Sequence, residues 1–326
     1  MPQGAAAARY LRGSLPPARA RGYAARPEVT MARKQASDFD PELLKLFDDY
    51  VHGGVDRRGF LERAARFAVG GVTAAMLLDA LSPKFAEAEV VPASDKRLKT
   101  STVEYDSPKG QGKMRGYLAL RAGTKGKLPG VLVVHENRGL NPHIEDVARR
   151  FALEGFLAFA PDALAPVGGY PGDEDKAREA FGKLDKDKIG EDFVAAAAVL
   201  KARPECTGKI GAVGFCFGGG ITNLLATRLP DLAAAVPFYG NQPKAEDVAH
   251  IKAPMLIHYA ETDERINAGI PAFEEALKAN HVKYQLFQYP GTQHGFHNDT
   301  TPRYDKAAAT LAWQRTLEFF KKNLHK

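Results

Sequence analysis

The chain has 326 residues, 44% apolar and 26% charged, enough to bury one large core or two modest ones. Its formal charge of +6 comes wholly from residues 1–34, which hold seven Arg/Lys and one Glu, while the rest carries 38 charges of each sign. A neutral body without an Arg/Lys stripe excludes a surface built to neutralise phosphates, so no nucleic-acid partner is expected.

Residues 1–36 are rich in Ala, Arg and Pro with little apolar periodicity, which predicts a disordered segment or a mis-assigned start, with Met31 as the alternative first residue. Residues 37–97 read as a helical leader. Within it Phe39–Tyr50 has helical spacing, and Arg57-Arg58 ahead of Phe60-Leu61 is similar to a twin-arginine export signal. The apolar run Phe67–Leu81 is shorter than the ~20 residues of a spanning helix, so no stable membrane insertion is expected. Ala86-Glu87-Ala88 offers a small-residue cleavage site. The leader thus predicts the twin-arginine machinery as a partner and a periplasmic or exported protein. The alternative is a cytoplasmic protein with an amphipathic helix packed on the body.

Residues 98–326 open with two alternating, half-buried strands, Thr102–Tyr105 and Met114–Leu120. A strand at Gly130–His135, a helix at 142–154 and a strand at Phe156–Ala160 follow, then helices at 173–184 and 189–203. The remainder reads as strand Ile210–Gly214, helix 217–229, strands Ala233–Tyr239 and Met255–Tyr259, helix 267–280, strand Tyr284–Tyr289 and helix 303–324. Continuous apolar strands are buried on both faces, as in parallel sheets. Their alternation with helices predicts one α/β domain, with a mostly parallel, doubly wound sheet and helices on both faces.

Cys206 and Cys216 flank the strand at 209–214, which would hold them roughly 20 Å apart at ~3.3 Å per residue. A disulfide needs Cα atoms within about 7 Å, so two free thiols are expected. Gly214-Phe215-Cys216-Phe217-Gly218 at a strand-to-helix junction has the form G-x-C-x-G, a nucleophile elbow with Cys in place of Ser. Gly214 and Gly218 relieve clashes in the turn, and Gly219 and Gly220 would let the helix start close to the sheet. The helix N-terminus favours thiolate over thiol. Asp263 follows one strand and His294 the next, which gives the order nucleophile, acid, histidine of α/β-hydrolases. The carboxylate would orient the imidazole, and the imidazole would move the proton to and from sulfur. After the strand at 130–135, His135-Glu136-Asn137-Arg138-Gly139 is not H-E-x-x-H, so no zinc site of that kind is expected. The backbone N–H groups of Asn137 and Phe217 would form an oxyanion hole, with Glu136 facing the sulfur.

These residues resemble the dienelactone hydrolase family over 98–326, through the Cys216 elbow, Glu136, Asp263, His294 and the signatures G-F-C-F-G-G and H-x-F. The leader resembles that of a bacterial subgroup of the family. The resemblance implies an eight-stranded α/β-hydrolase fold and cofactor-free cleavage of a small ester or lactone (carboxymethylenebutenolidase-like), with a thiol that rests near Glu136 and ionises when substrate enters. Family members that cleave dienelactone look to carry two arginines that grip the substrate carboxylate. Here Pro161-Asp162 is followed by Ala163-Leu164-Ala165-Pro166, and Asn298 lies four residues beyond His294, so that clamp does not carry over. Arg138 and Arg265 are nearby cations that could replace it. The competing reading is a non-catalytic protein of the same fold that uses Cys216 as a redox or binding thiol.

Overall fold

A computed structural model describes residues 34–325, so the expectation for the first 36 residues lies almost wholly outside the described part. Eight strands form one sheet in the order β1-β2-β4-β3-β5-β6-β7-β8. β1 (Leu98–Ser107) and β2 (Gly112–Arg121) form an antiparallel pair at one edge. β2 then runs antiparallel to β4 (Leu157–Pro161), and every later pairing is parallel, through β3 (Leu128–Val134), β5 (Cys206–Phe215), β6 (Ala234–Phe238), β7 (Met255–Thr262) and β8 (Tyr284–Gln293). β4 and β6 are buried along their whole length and β3 along all but its first residue, which is why those segments read as unbroken apolar runs.

The sheet buries a cluster on each face. Leu132, Phe159, Ala212 and Ile257 point to one, joined by Phe193 and Leu200 of α7 (Lys186–Ala202). Val131, Val133, Val213 and Phe238 point to the other, against Val147 and Phe151 of α5 (Pro142–Leu153) and Phe320 of α11 (Lys306–Leu324). Alternate residues of one strand serve opposite faces, as the two-residue side-chain period requires. Parallel pairing brings the carboxyl ends of β3, β5, β7 and β8 to the same edge of the sheet, where ligands meet folds of this type. Both thiols are free and buried, with Cys206 opening β5 and Cys216 just beyond its far end.

The segment before β1 packs on this body as one compact unit with it. α1 (Pro41–Val51) starts with Asp40 capping Glu42 N–H and with Pro41 in the first turn, where a missing N–H costs nothing. Its Leu43, Leu44, Phe47 and Tyr50 form a small core with Phe60 of α2 (Arg57–Ala64) and Leu77, Leu78 and Leu81 of α3 (Ala74–Leu81). α4 (Phe85–Ala88) leads to a clasp in which Asp146 accepts from Val90 N–H at 3.0 Å and Val91 N–H at 2.8 Å. The arginine pair opens α2, and Arg57 forms an ion pair with Asp175 at 2.7 Å. No helix among the described residues is long and apolar enough to cross a membrane.

Candidate functional site

Cys216 joins β5 to α8 (Phe217–Arg228) with φ 56° and ψ −113°, a conformation rare for any residue but glycine. Such strain persists where the surroundings over-determine it. A Cβ on Gly214 would strike the Gly218 carbonyl, and one on Gly218 would strike the Val134 carbonyl and come within 2.6 Å of His135 O. Gly219 would place a Cβ 2.5 Å from Phe238 O, so α8 lies against β6 at backbone contact. Gly220 departs from the sequence expectation: its nearest neighbours, atoms of Asn241, stand at 3.7 Å, so helix and sheet have already diverged there.

Asp263 follows β7 and caps α9 (Glu264–Asn267), and His294 follows β8. His294 Nδ1 donates to Asp263 Oδ2 at 2.5 Å, with both side chains almost wholly buried. The sequence-predicted Cys, Asp and His therefore meet at one sheet edge. His294 Nε2 has no hydrogen-bond partner and lies within 4.8 Å of the sulfur, so it acts on the thiol as a near charge. Burial pushes the Cys216 thiol up, but His294 and His52 outweigh it and bring the group down to about 6. Burial works against charge on His294, yet the thiolate and Asp263 raise it to about 10. Phe217 occupies the first position of α8, where helical N–H groups have no intrahelical acceptor.

Glu136 accepts from Asn298 Nδ2 at 2.8 Å, and the sulfur's hydrogen-bond partner is instead His52 Nε2 at 3.4 Å. His52 follows α1 and was missed by sequence reasoning; the one signal available was its spacing from Asp48, four residues earlier and so on the same helix face. Arg138 is only 6% exposed and ends on the Val51 carbonyl at 3.0 Å, beside Asn137 Nδ2, which donates to the same oxygen at 2.9 Å. Arg265 Nη2 stands 3.1 Å from His52 Nε2. Both candidate clamp cations thus face the N-terminal segment. With that segment in place Cys216 is 8% exposed. A cleft of about 630 Å³ lies along α8, between Phe217, Gly220, Leu224, Asn241 and Gln242, and Cys216 does not line it. Cys216, His52 and His294 are also the group of His, Cys and carboxylate side chains, among the described residues, close enough to share a soft cation.

The dienelactone hydrolase family model matches residues 114–324, and a YqhI-like model matches residues 31–68. A protein of Escherichia coli K12 provisionally assigned as a carboxymethylenebutenolidase is 35% identical over 222 residues, 64% of this chain and 82% of its own. A provisionally assigned hydrolase fragment of the same organism, YghX, is 52% identical over 114 residues, 35% of this chain and 97% of the fragment. The crystal structure of a provisionally assigned dienelactone hydrolase from Klebsiella pneumoniae superposes with a TM-score of 0.61 at 30% identity, covering 69% of this chain and 99% of that one. The elbow, the strand order and these matches agree: the chain belongs to the dienelactone hydrolase family.

Proposed function

We propose that this hydrolase cleaves a small ester or lactone by covalent catalysis at Cys216. The sulfur attacks the carbonyl carbon, and the oxygen that becomes negative is held by the N–H groups of Phe217 and Asn137. Collapse expels the alcohol and leaves a thioester, which water cleaves with His294 as base and Asp263 holding the imidazole. The observation that carries this reading is Cys216, at positive φ, placed beside two imidazoles, half-buried His52 and buried His294, that lower its thiol to about 6. A thiolate at neutral pH is the form that attacks.

The substrate we propose is neutral rather than acidic. The position of one clamp arginine is Asn298, which is spent on the Glu136 carboxylate, and Arg138 is spent on Val51. A charge-assisted bond from arginine to a substrate carboxylate contributes ~1.5–3 kcal/mol, so its loss lowers kcat/KM for an acidic substrate by about tenfold to a hundredfold.

The test is purified full-length protein against aryl esters, thioesters, a neutral lactone and dienelactone. Hydrolysis is expected for the neutral compounds, with little in Cys216→Ser and none in Cys216→Ala. Undiminished turnover in Cys216→Ala would overturn the nucleophile, and a strong preference for dienelactone would overturn the substrate class.

A further inference from the structure

The N-terminal segment brings a second carboxylate–imidazole pair to the sulfur. His52 Nδ1 lies 2.8 Å from the Asp48 carbonyl and 3.3 Å from Asp48 Oδ2, while Nε2 lies 3.4 Å from Cys216 Sγ. The order carboxylate, imidazole, sulfur repeats that of Asp263 and His294, and the two rings meet edge to face with centroids 4.8 Å apart.

The placement of His52 is held by the body. α1 ends at Val51, and its last carbonyls lack intrahelical donors. Asn137 and Arg138 supply them for Val51, and Arg178 Nη1 donates to Tyr50 O at 2.8 Å and to Val55 O at 3.2 Å. Arg303 Nη1 fixes Asp48 at 2.8 Å. Four body side chains therefore converge on the turn that carries His52, which gives a catalytic group the rigidity it needs.

We propose that His52 is a second acid–base residue of this hydrolase, which protonates the leaving group while His294 activates the water that releases the acyl group. The proposal rests on Cys216 as nucleophile. At neutral pH the proton of Cys216 is already held by the imidazoles, and in the reactive form it sits on His52, as thiolate beside imidazolium. Sulfur bonds to the carbonyl carbon and the C=O pair moves to oxygen. As C=O re-forms, the bond to the alkoxide breaks and His52 gives the alkoxide its proton. His294 then takes a proton from water, hydroxide bonds to the thioester carbon, and the thiolate departs. The water-derived proton on His294 then passes by way of the departing thiolate to His52, replacing the one lost with the alcohol and restoring thiolate beside imidazolium, so the net change is ester plus water to acid plus alcohol. The charged groups facing His52 fit this use. Asp48 stabilises the imidazolium, and Arg265 beside Nε2 favours release of its proton at the moment of transfer.

The test compares His52→Gln with wild type on esters of one acid and a graded series of alcohols. General acid assistance matters most for poor leaving groups. The kcat/KM for alkyl esters should therefore fall about 10²–10⁴-fold, while nitrophenyl esters lose less than tenfold. Added imidazole should restore alkyl-ester turnover to His52→Ala, which a merely structural role would not allow. Asp48→Asn keeps the imidazole and its contacts, and should show a smaller loss with the same leaving-group dependence. Equal losses on both ester classes, or none, would overturn the proposal while leaving Cys216 in place. One equivalent of zinc in the isolated protein, absent from His52→Gln, would overturn it in favour of a metal site. Activity surviving in Cys216→Ala would instead strike the reading beneath it.

Discussion

Alanine at two neighbouring glycines of α8 should have opposite effects, although both residues belong to the same GGG run. At Gly219 a Cβ would sit 2.5 Å from Phe238 O and 2.9 Å from the backbone of Gly240, with no flexible side-chain end to give way. Relief to an ordinary contact requires α8 to move off β6 by about 1 Å, an overpacking cost of ~1–3 kcal/mol. At Gly220 the nearest atoms stand at 3.7 Å, so alanine fits, and it adds up to about 1 kcal/mol of helix propensity. The gap between the variants is then ~1–4 kcal/mol, or roughly 2–15 °C in Tm for a domain of this size. Gly219→Ala also shifts the helix whose start holds Cys216, and a displacement near 1 Å lowers turnover by about a hundredfold. The assay is thermal unfolding together with hydrolysis of an aryl ester by Gly219→Ala, Gly220→Ala and wild type. Equal melting temperatures for the two variants would refute the close contact between α8 and β6 as the reason for glycine.

Iodoacetamide should alkylate Cys216 with a rate that climbs as pH rises through about 6, the depressed value of the thiol, rather than near the ~8.5 of a free cysteine. Below that pH sulfur holds its proton and the rate falls; a midpoint above 8 would remove the histidines' influence. Asp146→Ala strips the acceptor from the buried Val91 N–H, at ~1–3 kcal/mol, and from the more exposed Val90 N–H, so chemical denaturation should show a loss of at least ~1–3 kcal/mol, and an unchanged midpoint would exclude the clasp. If export through the twin-arginine route includes cleavage after Ala88, the product lacks Asp48 and His52. Intact mass of the active fraction should show both retained; full activity in a chain that begins near Glu89 would contradict a role for His52.

The strands announced themselves because burial on both faces leaves a mark in one dimension. Gly130–His135 and Ala233–Tyr239 have no polar residue to confuse the pattern until their ends, and the structure places β3 and β6 there. Cys216, Asp263 and His294 were legible for a related reason: each follows a strand, and parallel pairing carries strand ends to a common edge. His52 was not legible. Its contact with Cys216 spans 164 positions and depends on how α1 packs, which no periodicity encodes. The pairing of Glu136 with Asn298, 162 positions apart, escaped for the same reason. Gly220 looked like its neighbours because a run of identical letters hides the divergence of helix and sheet.

The carbonyls at the end of α1 also occupy donors that would otherwise face the site. Asn137, Arg138 and Arg178 point their donors at one stretch of neutral backbone. A chain cut to residues 114–324, the span of the family match, would begin inside β2 and leave those donors to water. Those donors, on arginines that also pair with Glu174 and Asp175, would then be open to oxygens of a ligand. In this chain a helix end has already taken that place, so the same residues that could grip a ligand in the shortened chain serve here to hold α1.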